Sequence, residues 1–387
     1  MMLGLLLARA GVRTLVLEKH ADFLRDFRGD TIHPSTLELF AELGLLEALL
    51  ALPHQKTYHL NAQFGETRLR VADFSRLRVR SPFVAFMPQW DFLDFIAREG
   101  ARYSTFELRM GATVEGLCTQ RNRVVGVQVH TADGEYTIHA DLVIGADGRD
   151  SRVRAAAGLA VETLGAPMDV LWFRLPRAAG DPDEPVARFA PGCIYIMINR
   201  ASHWQCGYVI AKGALAAMQV AGLSAFRARV AALAPFVADR VKAIADWDEV
   251  KLLSVAVDRL PLWHRPGVLC IGDAAHAMSP IGGVGINLAI QDAVAAANRL
   301  TQPLRNGTLH SGDLAAVQAR REWPTRVTQR LQLVMQGRVI SSVLSETDDF
   351  APPLALRVLG AVPWLQGLTA RIIGIGLRPE HIRTSAA

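Results

Sequence analysis

Lysine, cysteine and long apolar runs are scarce in this 387-residue chain, and each scarcity excludes something. Only 5 of its 42 basic residues are Lys; the other 37 are Arg, scattered with no run of like charge. A net charge of +5 without a basic cluster hints at an anionic ligand and does not describe a nucleic-acid surface. The four cysteines, Cys118, Cys193, Cys206 and Cys270, form no CxxC pair. That spacing suggests neither a zinc site nor a disulfide framework, so no metal is expected and a reducing, cytoplasmic setting fits. No window reaches about 18 uninterrupted apolar residues, so no stable membrane insertion is expected. The apolar start, residues 1–8, lacks a basic n-region and is cut short by Arg9, unlike a signal peptide. Residues 354–377 are apolar but carry Arg357, Pro363, Gln366 and Arg371; they read as a packed terminal helix pair, with a membrane-surface contact as the alternative.

What is present is a globular balance. Half of the residues are hydrophobic and 20% are charged, which excludes a disordered chain, a collagen-like repeat and a coiled coil. The length predicts roughly two to three domains. Residues 1–10 read as a helix ended by Gly11, residues 12–17 as a short buried strand, and residues 36–50 and 91–103 as helices. Residues 57–86 alternate like two or three strands, and residues 107–139 read as sheet and hairpin. Strand-like pattern returns over 168–209, broken by a Pro/Asp/Gly-rich segment at 177–185. Residues 224–245, 286–300 and 314–344 are helical, and 251–260 reads as a strand. The expected layout is a nucleotide-binding domain built from 1–56, 88–166 and 263–345. It is interrupted by substrate-domain strands at 57–87 and a mainly β substrate domain at 167–262, with C-terminal helices over 346–387.

Three segments carry chemistry. In the first, the strand at 12–17 ends in Glu18, well placed to accept hydrogen bonds from a ribose diol, or else an ordinary surface Glu. No Gly-rich turn precedes the first helix, and a lone second strand would leave a sheet edge unpaired. We therefore expect the natural chain to start roughly fifteen to twenty residues earlier. The second segment, DLVIGADGRDSRVR (141–154), places Asp147 and Gly148 after a buried strand, where an acceptor and a permissive backbone suit a phosphate-bearing ligand or simply make a turn. The third, VLCIGDAAHAMSPIGGVGINLAIQDA (268–293), is the most specific. A strand ends in Gly272 and Asp273, a loop holds Pro280, Gly282, Gly283 and Gly285, and a helix opens at Ile286 and Asn287. Asp273 can bind ribityl or ribose hydroxyls, and the helix N-terminus offers positive dipole character to a developing anion. His276 is either a general base or a residue packed behind the loop.

These segments, in this order, resemble the single-component flavin-dependent aromatic hydroxylases, the para-hydroxybenzoate hydroxylase-like monooxygenases. LVLEK (15–19) is similar to the family's ribose-binding end, implying Glu18 and Lys19. FRGDTIHPSTLELF (27–40) is similar to the segment where an Arg meets FAD, implying Arg28. PQWDFLDFIA (88–97) resembles the helix whose first polar residue, here Gln89, contacts the ribityl chain. Residues 141–154 resemble the family's DG motif, serving FAD and NAD(P)H, and 272–289 its GD motif. The resemblance implies an α/β fold: a Rossmann-like FAD-binding domain interrupted by an α+β, mainly β substrate domain, with C-terminal helices. It implies FAD, with NADH or NADPH as reductant, and hydroxylation of an electron-rich small aromatic by O2 through a flavin C4a-hydroperoxide, the cofactor carrying the hard chemistry. No catalytic side chain is expected. Pro280 would shape the pocket, its carbonyl free beside the flavin.

The substrate wall is expected around Trp172, Phe173, Phe189, Tyr195, Met197 and Tyr208, unless these are core. The chain would act as a monomer or homodimer. Competing readings are a non-catalytic remnant of the fold, or a reductase or halogenase built on it. A halogenase is disfavoured because neither Trp172 nor Trp247 sits in a WxWxIP motif.

Overall fold

In the computed structural model, residues 1–24, 31–345 and 352–387 are described. The helix Met2–Arg9 is buried on every side from Met2 to Ala8, as an all-apolar helix must be. It packs against helices Gln89–Gly100 and Gly285–Asn306. A Cβ on Gly4 would lie 2.7 Å from Val16 Cγ2, so the helix rides directly on the strand that follows it. Gly11, at φ +78°, turns the chain into that strand, Thr14–Leu17, which pairs in parallel with Phe106–Arg109.

A second parallel pair joins Val143–Gly145 to Val268–Cys270. Parallel strands are covered on both faces, which accounts for the continuous apolar runs in this region. Among the described residues the two pairs belong to separate sheets, with Thr14–Leu17 and Val143–Gly145 each at an edge. Both edge strands line one large cavity.

A seven-stranded sheet forms the other half. Its order is Lys251–Ser254, Met168–Pro176, His203–Ala211, Cys193–Asn199, Val186–Ala190, His59–Phe64 and Thr67–Asp73. Early strands thus leave the first half of the chain to complete the later sheet. One face packs on helix Leu223–Leu233 through Phe173, Tyr195, Met197, Trp204 and Tyr208. The alternate residues, with a period of two, face the cavity. The loop at 177–185 is held by Asp181, which accepts from Arg240 Nη1 at 2.7 Å, Arg240 Nη2 at 2.9 Å and Trp204 Nε1 at 2.7 Å. The Arg240 guanidinium holds the Asp181 carboxyl well below the usual carboxylate range, although burial opposes this.

Several elements differ from expectation. The helix expected over 36–50 is two, Pro34–Glu42 and Leu46–Leu50, because Gly44 turns the chain at φ +72°. The strands expected over 57–86 divide between sheets: Val84–Phe86 pairs with Gln55–Thr57 and Thr31–Ile32 instead. The strand expected over 251–260 is broken between Lys251–Ser254 and Asp258–Arg259. After helices Leu354–Ala361 and Pro363–Gly374 the C-terminal tail runs back over the first half of the chain, where Ala387 N donates to Arg9 O at 3.0 Å.

Replacing Asp181 by Ala leaves the buried Trp204 indole N–H without its acceptor and removes one partner of the half-buried Arg240, which keeps the Pro176 carbonyl and Asp239. The substitution is expected to cost about 1–3 kcal/mol, read as a lower urea midpoint at unchanged slope.

Candidate functional site

The cavity encloses about 2810 Å³, well beyond the roughly 300–1,000 Å³ of an ordinary small-molecule site. It runs from the two parallel pairs to the seven-stranded sheet. Glu18, Lys19, Gln89, Asp147, Gly148, Gly272, Asp273, Pro280, Gly282, Gly283, Gly285 and Ile286 all line it. Residues far apart in sequence therefore meet on one surface. Arg28 lies outside the described residues.

The third segment builds the floor. Strand Val268–Cys270 ends at Gly272, whose φ is +60°. A Cβ there would sit 2.9 Å from Ala289 Cβ, so only glycine lets the strand end rest on the helix. Gly283, at φ +62°, is tighter: a Cβ would meet Thr31 Oγ1 at 2.3 Å. Helix Gly285–Asn306 then begins with no side-chain cap. Its first N–H groups, and the positive end of its dipole, meet the cavity where Gly285 and Ile286 line it.

Asn287 does not line the cavity; it is a clamp. Its Oδ1 accepts from His33 N at 3.0 Å and Thr36 Oγ1 at 2.8 Å, and its Nδ2 donates to Thr31 O at 3.1 Å and Gly283 O at 3.3 Å. One side chain locks residues 31–36 to the glycine turn. His33 beside it is buried, and burial pushes its imidazole down to about 4, against the hydrogen bond to the Ile373 carbonyl. Nδ1 lies 2.8 Å from that carbonyl oxygen and so carries the proton of the neutral ring.

The second segment meets the third through Arg149. Its Nε donates to Asp273 Oδ2 at 3.2 Å, its Nη2 to Met278 O at 3.2 Å, and its buried Nη1 has no partner among the described residues. Arg154 extends the link, with Nη1 3.3 Å from Ala274 O. Asp147 lines the cavity but both its oxygens are engaged in its own turn: Oδ1 accepts from Ser151 Oγ at 2.5 Å and Oδ2 from Val153 N at 3.1 Å.

The expectation for Pro280 is corrected, and of the two readings of His276 the packed one holds. The Pro280 carbonyl is not free: it accepts from Gly283 N at 3.0 Å, because Gly282 at φ +75° brings that N–H back. His276 packs behind the loop, with Nε2 2.5 Å from Asp292 Oδ2 and its ring 5.0 Å from that of Trp263. Asp292 also accepts from Gly272 N at 3.1 Å and Arg321 Nε at 3.0 Å. Burial drives the Asp292 carboxyl up, but His276, Arg321 and the Gly272 N–H together hold it below its ordinary value. Asp292, Arg321 and Arg149 were not anticipated. The available signal was a lone acid inside the apolar run LAIQDAVAAA, since buried acids are paired.

On the sheet, Trp172 and Phe189 line the cavity, with the Phe189 ring stacked on Phe64 at 4.5 Å. Phe173, Tyr195, Met197 and Tyr208 do not. They point to the opposite face and form core against helix Leu223–Leu233. The cavity face is made by the alternate positions Val170, Ile194, Ile196 and Val209.

A family model described as an FAD binding domain matches residues 1–331. A 6-methylpretetramide 4-monooxygenase of Streptomyces rimosus is 31% identical over 383 residues, covering 96% of this chain and 88% of its own. A 3-(3-hydroxy-phenyl)propionate/3-hydroxycinnamic acid hydroxylase of Burkholderia cenocepacia is 27% identical, covering 97% of this chain and 67% of its own. The solved structure of PqsL, a probable FAD-dependent monooxygenase from Pseudomonas aeruginosa, superposes with a TM-score of 0.74 at 21% identity, covering 89% of this chain and 94% of that one.

The neutral His33 has a pH signature. As pH falls through 6.5 the unfolded chain takes up the proton and the folded chain does not until about 4, so stability present above 6.5 is lost on the way down. The expected loss between pH 7 and pH 4 through this group is about 3 kcal/mol. Urea titrations of wild type and His33→Gln across that range check it: the variant's acid limb flattens by that amount.

Proposed function

The chain belongs to the FAD-binding-domain family of flavin-dependent aromatic hydroxylases, and from that premise we propose that it hydroxylates an aromatic small molecule with FAD, O2 and NADH or NADPH. The observation that carries this reading is one cavity in which a glycine turn and an uncapped helix N-terminus stand opposite an apolar, aromatic-bearing sheet face.

The residues present fit FAD. The turn at Gly272 and Gly283 has no room for a Cβ, which leaves backbone where a flat ring edge needs close approach. Glu18, at the end of strand Thr14–Leu17, would accept from a ribose diol, with Lys19 beside it. Gln89, first in helix Gln89–Gly100, and Asp273 would hold ribityl hydroxyls. Bound FAD supplies the redox chemistry, passing electrons from the nicotinamide to O2 for insertion of one oxygen atom into the ring.

The protein's part is placement and exclusion of water. The N-terminus of Gly285–Asn306 stabilises negative charge at the ring edge placed against it. Asn287 keeps that N-terminus in register with residues 31–36, and Arg149 keeps Asp273 turned to the cavity. The sheet face withdraws the reacting ring from water, which strengthens these electrostatic effects. No helix among the described residues is long and apolar enough to cross a membrane. We place the enzyme in the cytoplasm, as a monomer or homodimer.

The test is the visible spectrum of the purified chain with FAD supplied, followed by NADH or NADPH oxidation and O2 uptake on adding phenolic compounds. A yellow protein, substrate-stimulated oxidation and a product heavier by one oxygen are expected. A chain that takes up FAD but oxidises neither NADH nor NADPH faster in the presence of phenolic compounds overturns the proposal. Asp273→Ala and Gly283→Ala are each expected to weaken FAD at least about tenfold in a flavin fluorescence titration, the first by losing acceptors and the second by displacing Thr31.

A further inference from the structure

Charge is divided sharply within the cavity. Every Asp, Glu, Lys and Arg that lines it among the described residues falls in 13–19, 107–152 or 273–305, the nucleotide half. The stretches 59–86, 168–254 and 328–373 contribute lining residues of which none is charged. His59 is their one ionisable side chain, and it is tied to Asp73 at 3.4 Å.

Most neutral polar groups on this wall are engaged within the protein. Gln332 donates to Ser279 O at 3.0 Å and Ile281 O at 2.9 Å. Thr328 and Thr369 return their hydroxyls to the carbonyls of Pro324 and Leu365. Gln205 accepts from Arg200 at 2.9 Å. Helices Leu354–Ala361 and Pro363–Gly374, packed on strand Thr67–Asp73 of the sheet, add Leu356, Leu359, Ile372 and Ile373 to the wall.

The wall is also broad. Trp172, Ile196 and Ala187, on different strands, keep part of their surface open on it, while Met168, Val170, Ile194 and Val209 are buried with Ile340 and Val343. The four neighbouring strands from Met168–Pro176 to Val186–Ala190 make this band about 14 Å across. That is far wider than one benzene ring.

We infer that this chain's substrate is an uncharged aromatic of several fused rings, and that single-ring phenols carrying a carboxylate are excluded. The inference rests on the hydroxylase reading above and deepens it. Among the described residues, a carboxylate brought to this wall meets no cation and few available donors, so it leaves its hydration uncompensated. A flat, neutral polycycle exchanges water for apolar surface over its whole length.

The experiment titrates the FAD-supplied chain with phenol, 2-naphthol and anthracen-2-ol to vary ring number, and with 6-hydroxy-2-naphthoate against 2-naphthol to vary charge alone. Binding is read by ligand fluorescence or calorimetry, and flavin content separately by the visible spectrum. Affinity is expected to rise about tenfold with each fused ring, and the carboxylate to weaken binding by at least about tenfold. A naphthoate that binds as tightly as 2-naphthol, or an anthracenol no tighter than phenol, overturns the inference. A yellow chain that shows the ring and charge series but adds oxygen to none of these compounds overturns the hydroxylase reading and leaves the cavity preference standing. In a second arm, Ile196→Arg puts a cation on the wall and is expected to narrow or reverse the difference between naphthoate and naphthol. No change with a folded variant counts against this wall as the substrate surface.

Discussion

One buried carboxylate, Asp292, holds the site together. It sits inside helix Gly285–Asn306 with no exposed surface and gathers the Gly272 N–H, the His276 ring and the Arg321 guanidinium. Arg321, in helix Ser311–Met335, passes the link to Glu380 at 3.3 Å, so the C-terminal tail, that helix and the strand-end turn share one charge network. A buried charge is tolerated only when fully partnered, and removing one partner leaves the others uncompensated. The turn that carries Asp273 is thus set from behind, by groups that never face the cavity.

The same economy appears in front. Asn287 joins the glycine turn to residues 31–36, and Arg149 joins the second chemical segment to the third. Both are single side chains acting between distant parts of the chain. Glycines at Gly272 and Gly283 make these joints short, since any Cβ would hold the elements apart. The result is a polar side of the cavity where a helix N-terminus and a few carboxylates face one space, the arrangement that electrostatic stabilisation requires.

Across the cavity the physics reverses. The seven-stranded sheet presents apolar alternate residues and the C-terminal helices cover them, with charge confined to the far side. On the proposed reading, a redox ligand on the polar half and an apolar ring on the other would meet at the boundary between them. Division of labour between the halves follows from where charge is and is not placed.

The sequence alone determined the local parts. Strand, glycine turn and helix are contiguous at 268–293, so their order and the residues Asp273, Gly283 and Gly285 were legible from spacing, and a family resemblance could be carried residue by residue. It did not reveal which sheet face meets the cavity: Trp172 and Phe173 are neighbours of similar character, and both faces of the sheet are apolar. Nor did it show that Pro280 bonds to Gly283, or that Asp292 pairs with Arg321 across two helices. Those outcomes depend on what each side chain meets after the chain has folded. Period and spacing constrain neighbours along the chain, whereas the partner of a buried charge and the outer side of an apolar sheet are set by packing between distant segments.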